Sequence, residues 1–291
     1  MIQTNSETQM NILTFDVEEW FHILDNDSTR SEKEWSKFEY RLESNLDRIF
    51  SLLDNHNQKA TFFCLGWVAK EFPKLIKKIH ESGYEVGSHS DRHQLAYQQS
   101  HQEFKRDLEN SINSLEDITG SKVRSYRAPG FSLKNSNSWV FDILIEYGIE
   151  IDCSVFPARR AHGGFEQFGH AEPSIVRRND RQIKEFPINV YTFSGNSLIF
   201  SGGGYFRVLP YWVIKGMMRN SAYVMTYFHP RDFDPGQPII KDLSPTRKFK
   251  SYYGLRNAFR KLERLITDFE FLDLKEADSR VDWHKAKIIT V

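Results

Sequence analysis

The chain has 291 residues, of which 40% are hydrophobic, and its 39 basic and 39 acidic side chains give a formal net charge of zero. This balance argues against a protein that binds nucleic acid by neutralising phosphates, because no basic excess is available to release counterions. Two cysteines, Cys64 and Cys153, are too few for a disulfide scaffold or a zinc ribbon, and their apolar surroundings are typical of reduced core thiols.

Strand-like and helix-like segments alternate along the first half of the chain. Short apolar runs rich in strand formers predict strands, and apolar residues three or four apart predict amphipathic helices between them. The predicted strands are 12–15, 59–65, 84–87, 123–127 and 149–156, and the predicted helices are 38–56, 72–81, 103–118 and 139–147. This alternation predicts a parallel sheet, either open or closed into a barrel.

The second half of the chain is less regular. Residues 157–181 are polar and contain two adjacent glycines, so we expect a long loop or insertion there. Strands are predicted to resume at 183–190, 197–201, 222–228 and 269–274, with helices at 208–218 and 255–266. The basic segment 247–261 is interpreted as a solvated helix face, with contact to an anionic nucleotide or lipid carrier as the alternative.

The organisation of the chain is predicted to be simple. No linker rich in Pro, Gly or Ser divides it, so we predict one domain over residues 1–291 with an insertion at about 157–221. The first ten residues are polar, and no apolar run is long enough to span a bilayer. We therefore expect a cytoplasmic protein without a membrane span.

Polar residues follow several of the predicted strands directly. Asp16 and Glu18 follow the first strand, His89 and His93 the third, and His229 a later one. The Arg127-Ala128-Pro129-Gly130 run and Asp152 also lie at strand ends. In a parallel α/β barrel these positions converge on one rim, which is where such enzymes place their chemistry. The pattern therefore predicts an enzyme.

Two of these clusters suit a metal and a base. His89 and His93 are four residues apart, either one helical turn or a tight turn, and imidazole is the commonest protein ligand for borderline divalent metals. Strand alternation sends Asp16 and Glu18 to the same side, so one carboxylate can bind a metal while the other accepts a proton.

The ordered set of motifs resembles one enzyme family. Thr14-Phe15-Asp16, His89-Ser90-x-x-His93, Arg127-x-Pro129-Gly130 and His229 are similar, in this order, to the motifs of polysaccharide deacetylases, the NodB-homology group of carbohydrate esterase family 4. The Phe15–Trp20 opening and the Gly202–Arg207 run resemble a subgroup associated with bacterial exopolysaccharide or surface-glycan synthesis. The likeness is close over the first half of the chain and looser up to His229.

The resemblance implies a distorted (β/α) barrel and the metal-dependent removal of an acetyl group from an N-acetylated amino sugar. It implies Asp16 as the general base, Arg127 as its partner and His229 as the acid that protonates the departing amine. The metal ligands would be His89, His93 and one carboxylate, a set that suits zinc, with cobalt, nickel, manganese or iron as alternatives. The implied partner is the sugar substrate, free, polymeric, or linked to a nucleotide or lipid.

One position departs from the family pattern. Val17 stands where the family usually has a second aspartate that binds the metal. Glu18 is the replacement ligand we expect, and Glu19 or Asp16 would serve if Glu18 points away. Two other functions stay open: an allantoinase-like hydrolase of another C–N bond, with or without a metal, and a glycan-binding relative without activity.

The remaining candidates are a residue that orients His229 and the residues of the substrate cleft. Asp152 is predicted to orient His229, or else to cap a turn before Ser154. Aromatic side chains that stack on sugar rings, together with the turn after Arg127, would form the substrate cleft. The predicted substrate-binding residues are Trp20, Pro129, Gly130, Tyr205 and Phe206, and Phe21 and Trp212 are further aromatic candidates.

Overall fold

A computed structural model describes residues 9–24, 26–29, 31–158, 162–193 and 196–291. The strands are β1 (Met10–Ile12), β2 (Thr14–Val17), β3 (Thr61–Cys64), β4 (Glu85–Ser88), β5 (Ser125–Tyr126), β6 (Ile151–Asp152), β7 (Ser174–Arg178), β8 (Arg181–Glu185), β9 (Tyr191–Phe193), β10 (Asn196–Leu198), β11 (Tyr223–Met225) and β12 (Lys287–Thr290). The helices are α1 (Glu32–Trp35), α2 (Leu42–Asn55), α3 (Gly66–Glu71), α4 (Pro73–Glu81), α5 (His101–Thr119), α6 (Val140–Glu146), α7 (Gly203–Val208), α8 (Tyr211–Arg219), α9 (Pro245–Tyr252), α10 (Leu255–Asp268) and α11 (Leu274–Arg280).

Eight strands form one mostly parallel sheet in the order β12-β7-β8-β6-β5-β4-β3-β2. The predicted α/β class with a parallel sheet is therefore confirmed. The named strands do not close into a ring, but β1 pairs in parallel with β11, and Phe15 bridges to Phe228 in parallel. These contacts bring the last part of the chain beside the first strands.

The strands of the first half are buried on both faces, and all four residues of β2 and of β3 are buried. On one face Phe62 joins the larger core cluster, which includes residues of the connecting helices, and on the other Phe63 joins a second cluster with residues of β1 and β11. The long helix α5 begins with a capping box on Ser100 and ends at Gly120, which has a left-handed φ of 63°. Its buried face includes Asp107 and Ser111, two polar residues that reach the end of β4.

The region expected to be one long loop contains a hairpin. β7 pairs antiparallel with β8, and the turn residue Asn179 has a positive φ of 52°. The loop prediction for 157–181 was therefore wrong over 174–178 and at 181. The Asn179-Asp180 dipeptide between two alternating runs is a hairpin signal that could have revealed it. The division of the chain into one domain with an insertion stays a prediction.

The end of the chain also differs from the sequence expectation. The predicted strand at 269–274 is reduced to a bridge between Leu272 and Ile12, and α11 begins at Leu274. β12, which was not predicted, adds a parallel edge strand beside β7. Among the described residues, no helix is long and apolar enough to cross a membrane.

Candidate active site

Asp16 lies in the middle of the assembled strands and is buried. Its backbone N–H donates to the carbonyl of Phe228 at 2.8 Å, which continues the parallel bridge between the two strands. Its Oδ1 accepts a hydrogen bond from Nη1 of Arg127 at 2.7 Å. Arg127 is fully buried, and the same Nη1 donates to Oγ1 of Thr14 at 2.7 Å. The predicted pairing of Arg127 with Asp16 is therefore present.

Glu18 points to the same side as Asp16, as strand alternation predicts. Its Oε2 lies 2.6 Å from Nε2 of His93, and its Oε1 lies 3.8 Å from Nε2 of His229. One ligand atom from each of Glu18, His89 and His93 lies within 4.8 Å of the others. Val17 between the two carboxylates is buried in the core. Because Val17 separates the two acidic residues, the carboxylate of Glu18 lies on the same side as Asp16 and beside the two imidazoles.

The two histidines are presented by a tight turn after β4 and not by a helix. Ser90 and His93 both have positive φ values, 75° and 56°, which are uncommon for residues other than glycine and cost about 1–3 kcal/mol each. Asp107 on α5 stabilises this turn, because its carboxylate accepts from the N–H groups of Asp91 at 2.9 Å and Arg92 at 3.2 Å. Hydrogen bonds to Asp107 of α5 therefore hold the backbone of this turn in its unfavourable conformation.

The donor set fits a divalent metal. Nδ1 of His89 is 2.8 Å from the carbonyl oxygen of Arg127, so it donates its proton there and leaves the Nε2 lone pair free for a ligand bond. Burial lowers the pKa of His89 to about 4, which keeps the ring neutral. Burial alone would raise the pKa of Glu18, but His93 and His229 hold it below its ordinary value, so the carboxylate is charged. Neutral imidazoles and an ionised carboxylate are the forms that bind metals.

Glu19, the alternative ligand, has another role. Its Oε1 accepts from the N–H groups of Arg41 at 2.7 Å and Leu42 at 2.9 Å, at the beginning of α2. Glu19 therefore caps the beginning of α2, although it is not adjacent to this helix in the sequence. The possibility that Glu19 completes the metal site is contradicted by these contacts.

His229 follows β11 and faces both carboxylates. Its Nε2 lies 3.8 Å from Oδ2 of Asp16, and its Nδ1 lies 3.0 Å from Oδ2 of Asp232. Burial on its own would lower the pKa of His229. The negative charges of Glu18, Asp232 and Asp16 outweigh this effect and raise the pKa from 6.5 to about 9. The other oxygen of Asp232 pairs with Nε of Arg207 at 3.2 Å. His229 is thus held as a protonated, oriented imidazole.

The prediction that Asp152 orients His229 is wrong, because Asp232 makes that hydrogen bond. Asp152 instead accepts from the Ser154 hydroxyl at 2.6 Å and the Ser154 N–H at 3.2 Å, which is the capping alternative. The sequence signal for Asp232 was its position three residues after His229, with Pro230 at the first position of a short 3-10 helix.

Asp152 also forms a buried carboxyl pair that the sequence analysis missed. It is in register with Glu185 on the neighbouring strand β8, and both side chains are fully buried. Burial, and next the charge of Asp152, raises the pKa of Glu185 well above its ordinary value, so Glu185 keeps a proton and donates it to Asp152. Oε1 of Glu185 accepts from the N–H of Val155 at 3.1 Å.

We expect Glu185→Gln to change how stability depends on pH. The folded protein binds a proton at Glu185 that the unfolded chain releases above its ordinary pKa of 4.5, so the wild type loses stability as pH rises. Glutamine carries the hydrogen permanently, and the variant should gain stability relative to the wild type as pH rises above the ordinary carboxyl pKa of 4.5. Urea unfolding across this range measures the difference, and parallel pH curves for the two proteins would contradict the assignment.

The predicted substrate-binding residues divide into two groups. Trp20 and Phe206 are buried in the core, where Trp20 packs edge-on against Phe21 and Phe206 packs against Phe228. The prediction that these two rings stack on sugar is therefore wrong. Tyr205 is more than half exposed. The turn after Arg127 places Pro129 in the interior and Gly130 partly exposed, with a left-handed φ of 61°.

His22 is a further residue near the metal ligands. It is buried, its ring lies 6.0 Å from that of His93, and its Nδ1 accepts from the N–H of Glu19 at 3.0 Å. Burial lowers the pKa of His22 well below its ordinary value, so the ring is neutral. It belongs to the wall behind His93.

Comparison with protein families identifies the first half of the chain. Residues 6–150 match the polysaccharide deacetylase family, and residues 153–278 match a domain of unknown function, DUF3473. Residues 6–150 therefore form a polysaccharide deacetylase domain, as the ordered motifs predicted. Of the residues gathered in the site, Asp16 to Arg127 fall in the first match and His229 falls in the second.

Curated relatives match over short segments. A peptidoglycan-N-acetylglucosamine deacetylase of Bacillus cereus is 29% identical over 103 residues, which are 35% of this chain and 38% of that protein. A chitooligosaccharide deacetylase of Azorhizobium caulinodans is 30% identical over 82 residues, 28% of this chain and 39% of that protein. The matches span less than two fifths of the length of these relatives.

Solved structures share the fold over the whole chain. A protein from Mycobacterium smegmatis assigned to the polysaccharide deacetylases has a TM-score of 0.68 at 19% identity, covering 100% of this chain and 96% of its own. A pseudoenzyme of carbohydrate esterase family 4 from Bacillus anthracis has a TM-score of 0.53 at 16% identity, covering 99% of this chain and 71% of its own. At these identities the likeness establishes the fold.

Proposed function

We propose that this protein is a metal-dependent hydrolase that removes the N-acetyl group from an amino sugar in a glycan or glycan precursor. The observation that carries the proposal is the convergence of six side chains from four separate segments at one buried point. These are Asp16, Glu18, His89, His93, Arg127 and His229. Their charges and hydrogen bonds supply a metal site, a base and an acid within a few ångströms of one another.

Glu18, His89 and His93 would hold the metal, since their ligand atoms lie within 4.8 Å of one another. Two imidazoles and a carboxylate suit zinc, and they also admit cobalt, nickel, manganese or iron. A bound divalent metal would lower the pKa of a coordinated water and polarise the acetamide carbonyl. Three protein ligands leave positions open for water and substrate, which a catalytic site requires.

The protein's own groups would then move the protons. Asp16, paired with Arg127, would accept a proton from the attacking water. The charges of Glu18, Asp232 and Asp16 favour the protonated form of His229, and its Nε2 faces the site at 3.8 Å from Asp16. It would donate that proton to the departing nitrogen, since an amine leaves poorly from an amide without protonation. Asp232 keeps the ring in the orientation that this donation needs.

The substrate class is proposed from the relatives, whose names refer to N-acetylated glycans such as peptidoglycan and chitooligosaccharides. We propose an N-acetylated amino sugar as the substrate of this chain as well, either within a glycan or on a precursor linked to a nucleotide or lipid.

We expect purified protein loaded with zinc or cobalt to release acetate from a panel of N-acetylated oligosaccharides and precursors, measured by an enzyme-coupled acetate assay. His89→Ala should abolish this release, and metal analysis should show that it also lowers the metal bound per chain. Lys285→Ala, at an exposed surface ion pair, is the matched control and should behave as the wild type.

The other outcomes separate the alternatives. Release of a ureide product without acetate would identify hydrolysis of a different C–N bond. Saccharide binding without acetate release under any of these metals would identify a glycan-binding protein, a result that the family's pseudoenzyme in Bacillus anthracis makes a real competitor.

A further inference from the structure

We propose that the surface formed by α7, α9, the beginning of α10 and the loop around Ile239 docks on an anionic lipid bilayer. We call it the basic–apolar face. It lies outside the residues to which metal binding and proton transfer are assigned, and its role is independent of the deacetylation proposed above.

Exposed apolar side chains are concentrated on and beside this face. Nine large hydrophobic residues are exposed among the residues that the structure describes, and six of them fall between positions 205 and 253. These six are Tyr205, Val208, Trp212, Ile239, Phe249 and Tyr253. Single exposed apolar residues are normal on protein surfaces, but a concentration of them marks an interaction site.

Five of the six adjoin one another. Val208, Ile239 and Tyr253 line a cleft of about 570 Å³, and the Phe249 ring stacks on that of Tyr253 at 4.7 Å. Tyr205 lies three residues before Val208, on the same side of α7. Trp212 follows on the next helix, α8, and is 76% exposed. The apolar groups therefore form a patch around the cleft.

The charge of this part of the chain is strongly asymmetric. Residues 235–261 contain seven basic side chains and one acidic one, and residues 203–219 contain three basic and no acidic ones, although the whole chain is neutral. Within the described ranges, the side chains of Lys241, Lys250, Arg256 and Arg260 make no ion pair. These four cations are exposed and their charge is available to a partner.

An anionic bilayer matches both properties. Tyr and Trp rings settle at the level of lipid headgroups, apolar side chains enter the acyl boundary, and Lys and Arg pair with anionic headgroups. Each basic residue close to such a surface contributes about 1 kcal/mol to binding. A second copy of the chain fits less well, because a twofold interface would bring two strongly basic surfaces together.

The basic–apolar face is also connected to the active site. Arg207 lines the cleft, and its guanidinium donates to the carbonyls of Lys250 at 2.7 Å and Ser251 at 2.8 Å. The same guanidinium pairs through Nε with Asp232, the partner of His229. A lipid surface at the cleft would therefore lie behind the residue that we propose as the acid.

Flotation with vesicles tests the proposal without any substrate. We expect the full chain to float with vesicles of phosphatidylcholine and phosphatidylglycerol at 3:1, and to bind pure phosphatidylcholine at least about tenfold more weakly. Binding should also fall in 0.5 M NaCl, because salt screens the attraction between surface charges. Equal binding to both kinds of vesicle, or none to either, would overturn the proposal.

Matched variants locate the surface. Lys250→Glu/Arg256→Glu should reduce flotation at least about tenfold, whereas Lys33→Glu/Lys74→Glu, at exposed lysines elsewhere, should not. Ile239→Ser should weaken binding, and Ile288→Ser, an exposed isoleucine on β12, should leave it unchanged. If all four variants bind like the wild type, or if the basic–apolar face instead mediates a concentration-dependent dimer in sedimentation, the lipid assignment is wrong.

Discussion

Asp16→Asn is expected to lower acetate release about 10²–10⁴-fold, the range that general acid–base groups contribute. Asparagine can still accept the hydrogen bond from Nη1 of Arg127, now 2.7 Å from Asp16, but it cannot take a proton from water. The metal bound per chain should stay close to the wild-type value, because Glu18, His89 and His93 are untouched. Steady-state assays and metal analysis on the same preparation measure both effects.

Glu18→Gln supplies the contrast for this variant. It removes the anionic oxygen that lies 2.6 Å from His93, so the loss should first appear as lower metal occupancy at limiting metal. Excess metal should restore part of the activity of Glu18→Gln and none of that of Asp16→Asn. If the two variants behave alike, the assignment of one carboxylate to the metal and the other to the proton is wrong.

Arg127→Ala is expected to lower the free energy of unfolding by about 3–5 kcal/mol, the cost of breaking a buried ion pair by removing one partner. Arg127 is the largest fully buried side chain, and its guanidinium also lies 4.3 Å over the ring of Phe63. Its removal leaves the buried Asp16 without its cation and opens a cavity between the strands. Urea unfolding with a chelator present measures the loss without a contribution from bound metal.

Arg124→Ala is the matched control for this prediction. Arg124, just before β5, pairs with Glu150 at 2.6 Å, but both side chains are partly exposed, at 34% and 43%. Surface pairs of this kind contribute about 0–1 kcal/mol. A loss of the same small size for Arg127→Ala would show that the buried pair does not stabilise the fold.

The parts of the site that follow strands could be predicted from the sequence. Asp16, His89, Arg127 and His229 each follow a short apolar run, and parallel strands bring such positions to one edge. Glu18 was predicted because alternation, and not the family's usual spacing, decides which side a residue faces. The geometry bears out this reasoning, since Glu18 and Asp16 both face Nε2 of His229 at 3.8 Å.

The parts that depend on packing between distant segments could not be predicted. Asp152 and Asp232 are both acidic residues near a strand end, and only the hydrogen bond to Nδ1 distinguishes the partner of His229. Trp20 and Phe206 are aromatic residues of the kind that stacks on sugar rings, but the surrounding core side chains bury both. Glu19 sits beside the expected ligand, and its capping of a helix that begins 23 positions later has no local signal.

The parallel bridge between Phe15 and Phe228 has a consequence for how the molecule matures. During synthesis, a nascent chain that has emerged as far as residue 150 already contains both carboxylates, both metal-binding imidazoles and Arg127. Under the proposed mechanism it has no proton donor until residue 229 arrives and its strand docks beside the first one. Hydrolytic competence would then be acquired late, when the segment that carries His229 docks beside β2.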